Sequence, residues 1–182
     1  MVVPPGCSSS GHRAADHAPR TSPETHPQGV REDCSTSSGA DFPGAFSNPS
    51  NLVVGPLVLI GGAYTSAGTV RQFGGNKFPL IVKAGHAVTV RVSRRARRTA
   101  GLAYGPLPQR RETTVRDSHR TVTFVACAPG RPSENKADGV PITFWSGGVV
   151  ARRPVCVPLE VYVDAEPAPR RVGLPLGRSC PQ

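Results

Sequence analysis

Beyond residue 50 the apolar side chains fall on every second position, the spacing of strands that bury one face. Val88, Val90 and Val92 alternate with Thr89 and Arg91; Val122, Phe124 and Ala126 alternate with Thr121, Thr123 and Val125. Val157, Leu159, Val161 and Val163 alternate with Pro158, Glu160, Tyr162 and Asp164, and Val172, Leu174 and Leu176 continue the rule. With segments 52–60, 78–83, 100–104 and 142–150 the pattern predicts about eight strands, parted by turn signals at Ala84-Gly85, Pro129-Gly130 and Asp138-Gly139. Gly and Pro, 20 each, make 40 of 182 residues, about 22% against an average near 12%, which argues against a helical bundle. The expected class is all-β, an immunoglobulin-like β-sandwich. Pro158 and Pro175 cannot donate ladder hydrogen bonds, which places the last two strands as a hairpin at a sheet edge.

The N-terminal part is different. Of the first 50 residues, 21 are Pro, Gly or Ser, and large apolar side chains cluster only at Phe42 to Phe46. Residues 1–41 therefore bury too little surface to offset the entropy of ordering and read as a disordered tail, with the sandwich domain spanning 42–182. Charge divides the same way: three Arg against five Asp and Glu give −2 over residues 1–50, leaving 19 minus 7, or +12, for the rest. The longest apolar run, 52–63, is interrupted by Gly55, Pro56, Gly61 and Gly62 and falls short of the ~20 residues a membrane helix needs. The connection over 105–119, long and polar, is the expected binding loop.

Five cysteines stand at 7, 34, 127, 156 and 180, none in C-x-x-C spacing. The start, Met-Val-Val-Pro-Pro-Gly-Cys-Ser-Ser-Ser-Gly, reads like the end of a bacterial lipoprotein signal, with Cys7 as the lipidated residue; the basic start and apolar stretch of such a signal are missing. Two readings stand: the start codon lies too far downstream, or Cys7 is an ordinary cysteine in the tail. With Cys7 set aside, the other four form two bridges. The expected pairing is Cys127 with Cys156, each adjoining a strand around the loop that holds Trp145, and Cys34 with Cys180, pinning the tail to the domain. Strand parity puts Cys127 on the face of Thr123 and Cys156 on the face of Glu160, so their bridge is expected on the outer face or the rim. The alternative is reduced thiols in a cytoplasmic protein, disfavoured because several cysteines without a metal or catalytic reason are unusual there.

Several segments, in order along the domain, carry a resemblance: Asn51-Leu-Val-Val-Gly-Pro-Leu-Val-Leu-Ile-Gly-Gly, Phe78-Pro, Ala84-Gly85 with Val88-Thr-Val, Gly101-Leu-Ala-Tyr-Gly-Pro, Thr121-Val-Thr-Phe-Val-Ala-Cys, Phe144-Trp-Ser-Gly-Gly and Cys156-Val-Pro-Leu-Glu-Val-Tyr-Val-Asp. Over residues 42–180 the chain resembles a group of uncharacterised secreted or lipid-anchored β-sandwich proteins of high-GC actinobacteria. The resemblance implies a compartment and no catalytic residues. Arg outnumbers Lys 19 to 3, as GC-rich codons favour.

Candidate chemistry is thin. Asp117-Ser118-His119 holds the residue types of a hydrolase triad, but a triad is assembled from separated segments, and in an extended run Ser118 points away from the other two. The run reads as a polar turn; no G-x-S-x-G occurs. His12, His17, His26, Cys7 and Cys34 match no metal-ligand spacing, and His86 reads as a turn residue because the Met and Cys of a blue-copper site are missing. The glycine pairs at 61–62, 74–75 and 147–148 belong to no phosphate-binding motif and read as bulges or loops. No cofactor is expected. The strongest charge signal is Arg94, Arg95, Arg97 and Arg98, supplemented by Arg110-Arg111, Arg152-Arg153 and Arg170-Arg171. A domain at +12 attracts polyanions: anionic lipid head groups or wall polymers outside a cell, nucleic acid inside one. Specific nucleic-acid recognition wants stacking aromatics or a reading helix, and few candidates exist. The expectation is a non-enzymatic, extracytoplasmic binding or structural module at the cell envelope. Its rivals are a basic cytoplasmic nucleic-acid-binding protein and, more weakly, a small hydrolase.

Overall fold

The computed structural model describes Met1 and residues 29–108, 112–130 and 135–181. The period-two segments are strands of an all-β fold whose sheets pack in sandwich-like layers. The first sheet has the order β1-β8-β6-β12-β13, built from β1 (Val30–Glu32), β6 (Ala87–Val92), β8 (Thr121–Val125), β12 (Val155–Val163) and β13 (Arg170–Leu176). A second runs β2-β3-β5-β10-β9, from β2 (Leu52–Val54), β3 (Leu57–Leu59), β5 (Leu80–Lys83), β9 (Asn135–Ala137) and β10 (Val140–Trp145). The third has three strands, β4 (Gly75–Lys77), β11 (Gly148–Ala151) and β7 (Ala100–Ala103), in that order.

Thirteen strands replace the expected eight among the described residues: small residues break two of the apolar runs, and β1, β4 and β9 are three-residue strands too short to show alternation. Segment 52–60 folds back at Gly55, whose φ of 60° suits glycine, so it becomes the β2–β3 hairpin. Segment 142–150 breaks at Ser146-Gly147, sending β10 and β11 into different sheets. The helix α1 (Ala67–Phe73) is one the alternation did not reveal, since seven residues are too few to show a 3.6-residue period. Ser66 caps it by accepting from Thr69 N, and Gly74, at φ 66°, ends it by donating to Val70 O.

The main core collects the inward rows of all three sheets: Val88, Val90 and Val92 of β6, the alternate valines and Leu159 of β12, Leu57 and Leu59 of β3, Leu102 of β7 and Val149 of β11. The second sheet is buried on both faces. Val58, Ile81 and Ile142 point away from the main core and are covered by Phe42, Ala45 and Phe46, which explains why the only apolar stretch before residue 50 lies there.

The tail boundary at 41 needs correction. β1 pairs in parallel with β8 over Val30↔Val122 to Glu32↔Phe124, a 3-10 turn follows at Cys34–Thr36, and Ser38 bridges Phe144. The described chain thus joins the sandwich by residue 30. Composition concealed this because the segment is held by edge pairing, one disulfide and hydrogen bonds to its backbone, none of which needs apolar side chains.

All four cysteines are bridged, but not as expected: Cys34 pairs with Cys127 and Cys156 with Cys180. Parity put Cys127 and Cys156 on one face and said nothing of position along it. Between β8 and β12 lies β6; Gly85 N donates to Cys127 O at its start, and Ser93 N donates to Pro158 O at its end. The two cysteines therefore stand at opposite ends of a six-residue strand, about 20 Å apart along it. Each finds its partner on the adjoining outer strand instead: Cys34 follows β1 beside β8, and Cys180 follows β13 beside β12.

The β12–β13 hairpin has β13 at the edge as expected. Pro158 is tolerated within β12 because its carbonyl, and so its missing donor, faces the point where β6 has ended. Past the far end of β12, Asp164 (φ 48°) accepts from Ala87 N at 2.8 Å and lies 2.7 Å from His86 Nδ1. Burial opposes ionisation of this carboxyl, but the Ala87 and His86 hydrogen bonds and the charge of His86 outweigh it and hold its pKa below the ordinary value. A depressed folded pKa gives stability present above the unfolded value near 4 and lost as pH falls through the folded one. Asp164→Asn keeps a residue that accepts positive φ. Its expected effect is a flatter decline of the urea midpoint below about pH 4 and a loss under about 1 kcal/mol at pH 7, because the pair is half exposed. An unchanged acid limb would show that Asp164 does not contribute to it.

Candidate functional site

Arg94, Arg95, Arg97 and Arg98 follow β6 in a tight turn, and that turn separates them. Residues Arg94–Ala96 form a 3-10 turn seated by Ala96, which is 5% exposed. Arg94 and Arg95 are left outside, on a groove of about 530 Å³ over the outer face of β12 and β13. Arg97 turns back, its Nε donating to Val92 O at 3.3 Å, while Arg98 stays exposed. Of the four arginines, Arg94 and Arg95 are the two that line the groove.

The groove exists because its floor is made of residues that project little: Pro158, Gly173 and the Cys156–Cys180 bridge. Gly173 is required there, since a Cβ would lie 2.5 Å from Cys180 Sγ and 2.9 Å from Cys156 Sγ. Arg171 stands on the opposite wall from Arg94 and Arg95, brought in by its register with Glu160. Glu160, the one carboxylate bordering the groove among the described residues, is already neutralised: Arg91 Nε donates to its Oε2 at 2.6 Å, and Arg91 lies over the Tyr162 ring at 4.9 Å. Among the described residues, none of Arg94, Arg95 and Arg171 has a carboxylate within ion-pair distance. Ser93 Oγ, also bordering the groove, is buried and has no hydrogen-bond partner. Three guanidiniums without a described carboxylate partner around an open trough attract anions.

Arg120, missed from the sequence, joins Arg97 and Arg152 near the start of β7. No local run marks it; its place depends on the pairing of β7 with β11, which brings Arg152 N to Thr99 O.

The remaining candidates have structural partners. Ser118 Oγ donates to Val115 O and accepts from Arg120, while His119 Nε2 binds Pro106 O at 2.9 Å. Asp117 accepts from the amide and hydroxyl of Thr114. The three side chains of the triad-like run thus turn to different groups. Among the described residues no three His, Cys, Asp or Glu side chains gather closely enough to hold a metal ion. The glycine pairs serve turns and close backbone approaches: at Gly75 and Gly148 a Cβ would meet the backbone of β11 and β4 respectively. The described parts of the 105–119 connection border a second, largely apolar cleft of about 580 Å³, where Leu107 and Thr113 face Phe73 of α1 across the glycine floor of β11. Cys7, His12, His17, His26, Arg110 and Arg111 lie outside the described residues. Compared with known proteins, the chain matches no family model, no curated protein and no solved structure.

Proposed function

We propose that this chain is a non-enzymatic extracytoplasmic module that binds the phosphate-bearing polyanions of the cell envelope, lipid head groups or wall polymers, through the arginine groove. The carrying observation is the trio Arg94, Arg95 and Arg171 around a trough on the outer sheet face, with no acidic partner among the described residues. Two intramolecular disulfides, in a chain of this size, mark an oxidising, extracytoplasmic environment. No helix among the described residues is long and apolar enough to cross a membrane. Anchoring would fall to Cys7 through lipidation.

Each arginine near an anionic surface is worth about 1 kcal/mol, so R94Q/R95Q/R171Q should weaken binding to anionic vesicles on the order of 100-fold at low salt. The wild-type affinity should itself fall steeply as the screening length shortens from about 30 Å at 0.01 M to about 8 Å at 0.15 M. Co-sedimentation with anionic and zwitterionic vesicles, and with purified anionic wall polymer, measures both. Equal binding by wild type and triple variant would remove the groove from the account. Tight binding to one oligonucleotide that survives 0.15 M salt and is lost with one base change would replace it with the nucleic-acid reading, because phosphate contacts carry no sequence information.

A further inference from the structure

A second cationic group, sharing no residue with the groove, has a different character. Arg120 is partly buried and rigidly held: Nη1 donates to Ser118 Oγ at 2.9 Å and Ser118 O at 3.3 Å, and Nη2 donates to Val115 O at 2.7 Å. All these acceptors are neutral. They fix the plane of the guanidinium and leave its charge uncompensated. Gly101 on β7 makes room for it, since a Cβ there would run into Arg120 Nη1 and Ser118.

Two further arginines arrive from other parts of the chain. Arg97 is drawn in through Nε to Val92 O, and Val92 N in turn donates to Arg120 O at 2.9 Å. Arg152 follows β11 in the register Gly101↔Val150, so it projects from the same face as Gly101, against which Arg120 Nη1 lies, and its backbone N donates to Thr99 O at 3.0 Å. Burial is the main influence lowering the Arg120 pKa, and the charges of Arg97 and Arg152 add to it. Among the described residues none of the three has a carboxylate within ion-pair distance. A flexible surface cation would swing away from like charges. Arg120 cannot, because three hydrogen bonds hold it in place, so the repulsion persists until an anion relieves it.

We propose that Arg97, Arg120 and Arg152 form a discrete site for one compact, multiply charged oxyanion of the phosphate or sulfate class. A guanidinium presents paired donors that match two oxygens of such an ion. Three of them suit a tetrahedral dianion better than a carboxylate, which has two oxygens and one charge. The groove spreads its arginines around an open trough for an extended polyanion. Here one arginine is immobilised and two adjustable ones flank it, an arrangement suited to a single small group, either a free ion or a terminal phosphate monoester carried on a lipid or polymer.

The test uses the full disulfide-bonded chain with inorganic phosphate as the probe and chloride at matched ionic strength as the control. Phosphate should raise the melting temperature where chloride does not, and titration calorimetry should give one site per chain. R152Q and R97Q, which leave the Arg120 anchors intact, should each weaken phosphate binding at least about tenfold. R120Q should abolish binding, and should it fail to fold the other two variants decide the matter. The R94Q/R95Q/R171Q variant should lose vesicle binding and keep phosphate binding, so the two sites stand or fall separately. A soluble glycerol phosphate monoester binding more tightly than phosphate points to a phosphomonoester carried on a lipid or polymer, and the reverse order to a free ion; both support the site. Equal effects of phosphate and chloride, or phosphate binding unchanged in both R97Q and R152Q, overturn it.

Discussion

Replacing Cys34 and Cys127 with alanine should lower the unfolding free energy more than any other pairwise change outside the core. The bridge joins residues 93 apart in sequence, and the chain-entropy model gives a loop of that length about 4.7 kcal/mol; Cys156–Cys180, with a separation of 24, is worth about 3.5 kcal/mol on the same scale. Against a typical total of 5–15 kcal/mol, the first loss alone is a third of the stability or more. The difference should be local as well as global. β1 pairs with β8 over only three residues, so without its bridge the segment from 29 to 41 depends on a short edge pairing and a few hydrogen bonds. Urea unfolding of C34A/C127A and C156A/C180A gives the ranking, and hydrogen exchange should show residues 29–41 opening in the first variant only. Peptide mapping under non-reducing conditions checks the pairing directly. A Cys127–Cys156 linkage in the native protein would contradict this arrangement, and a smaller loss for C34A/C127A than for C156A/C180A would mean that the loop-length argument fails here.

The sequence made the sheet faces legible because alternation is a local property. Every inward residue of β6, β8 and β12 follows from period two. Order across a sheet is not local. The disulfide pairing failed because β6 intervenes between β8 and β12, a fact carried by no run of residues. Likewise the arginine run announced a charged surface, but whether its members act together depends on a single 3-10 turn around Ala96. Arg171 was visible as part of a dipeptide, and only the register Glu160↔Arg171 places it across the groove from Arg94 and Arg95. Arg120 carried no signal, since its significance lies in two distant arginines and three neutral oxygens. The 29–41 segment misled for the opposite reason: its composition is that of a tail, and its order comes from backbone contacts that composition does not report.

The second large effect is expected at Trp145, the only tryptophan, which ends β10 at 2% exposure. Its ring centroid lies 5.2 Å from that of Phe124, which in turn meets Tyr104 edge-on at 5.3 Å, and the Tyr104 hydroxyl donates to Phe78 O at 2.6 Å. Trp145→Ala removes the largest of these rings and should destabilise the domain by about 3–5 kcal/mol. Trp145→Phe is the more informative change. It keeps most of the apolar contact and deletes the indole N–H, which donates to Asp33 O at 3.1 Å and Thr36 Oγ1 at 3.3 Å. Losing this hydrogen bond, while the Asp33 carbonyl keeps the Thr36 amide and hydroxyl as donors, should lower stability by about 1 kcal/mol. The Cys34–Cys127 bridge fixes the same turn, so the two losses should not add: once the bridge is gone, the turn can leave Trp145 and find water. A double-mutant cycle of W145F with C34A/C127A, followed by far-UV circular dichroism in urea, should show a coupling of about 0.5 kcal/mol or more, with the combined loss smaller than the sum. Strict additivity would mean that the 33–36 turn stays docked without its bridge, and that the indole hydrogen bonds and β1 suffice to hold the N-terminal strand on the sandwich.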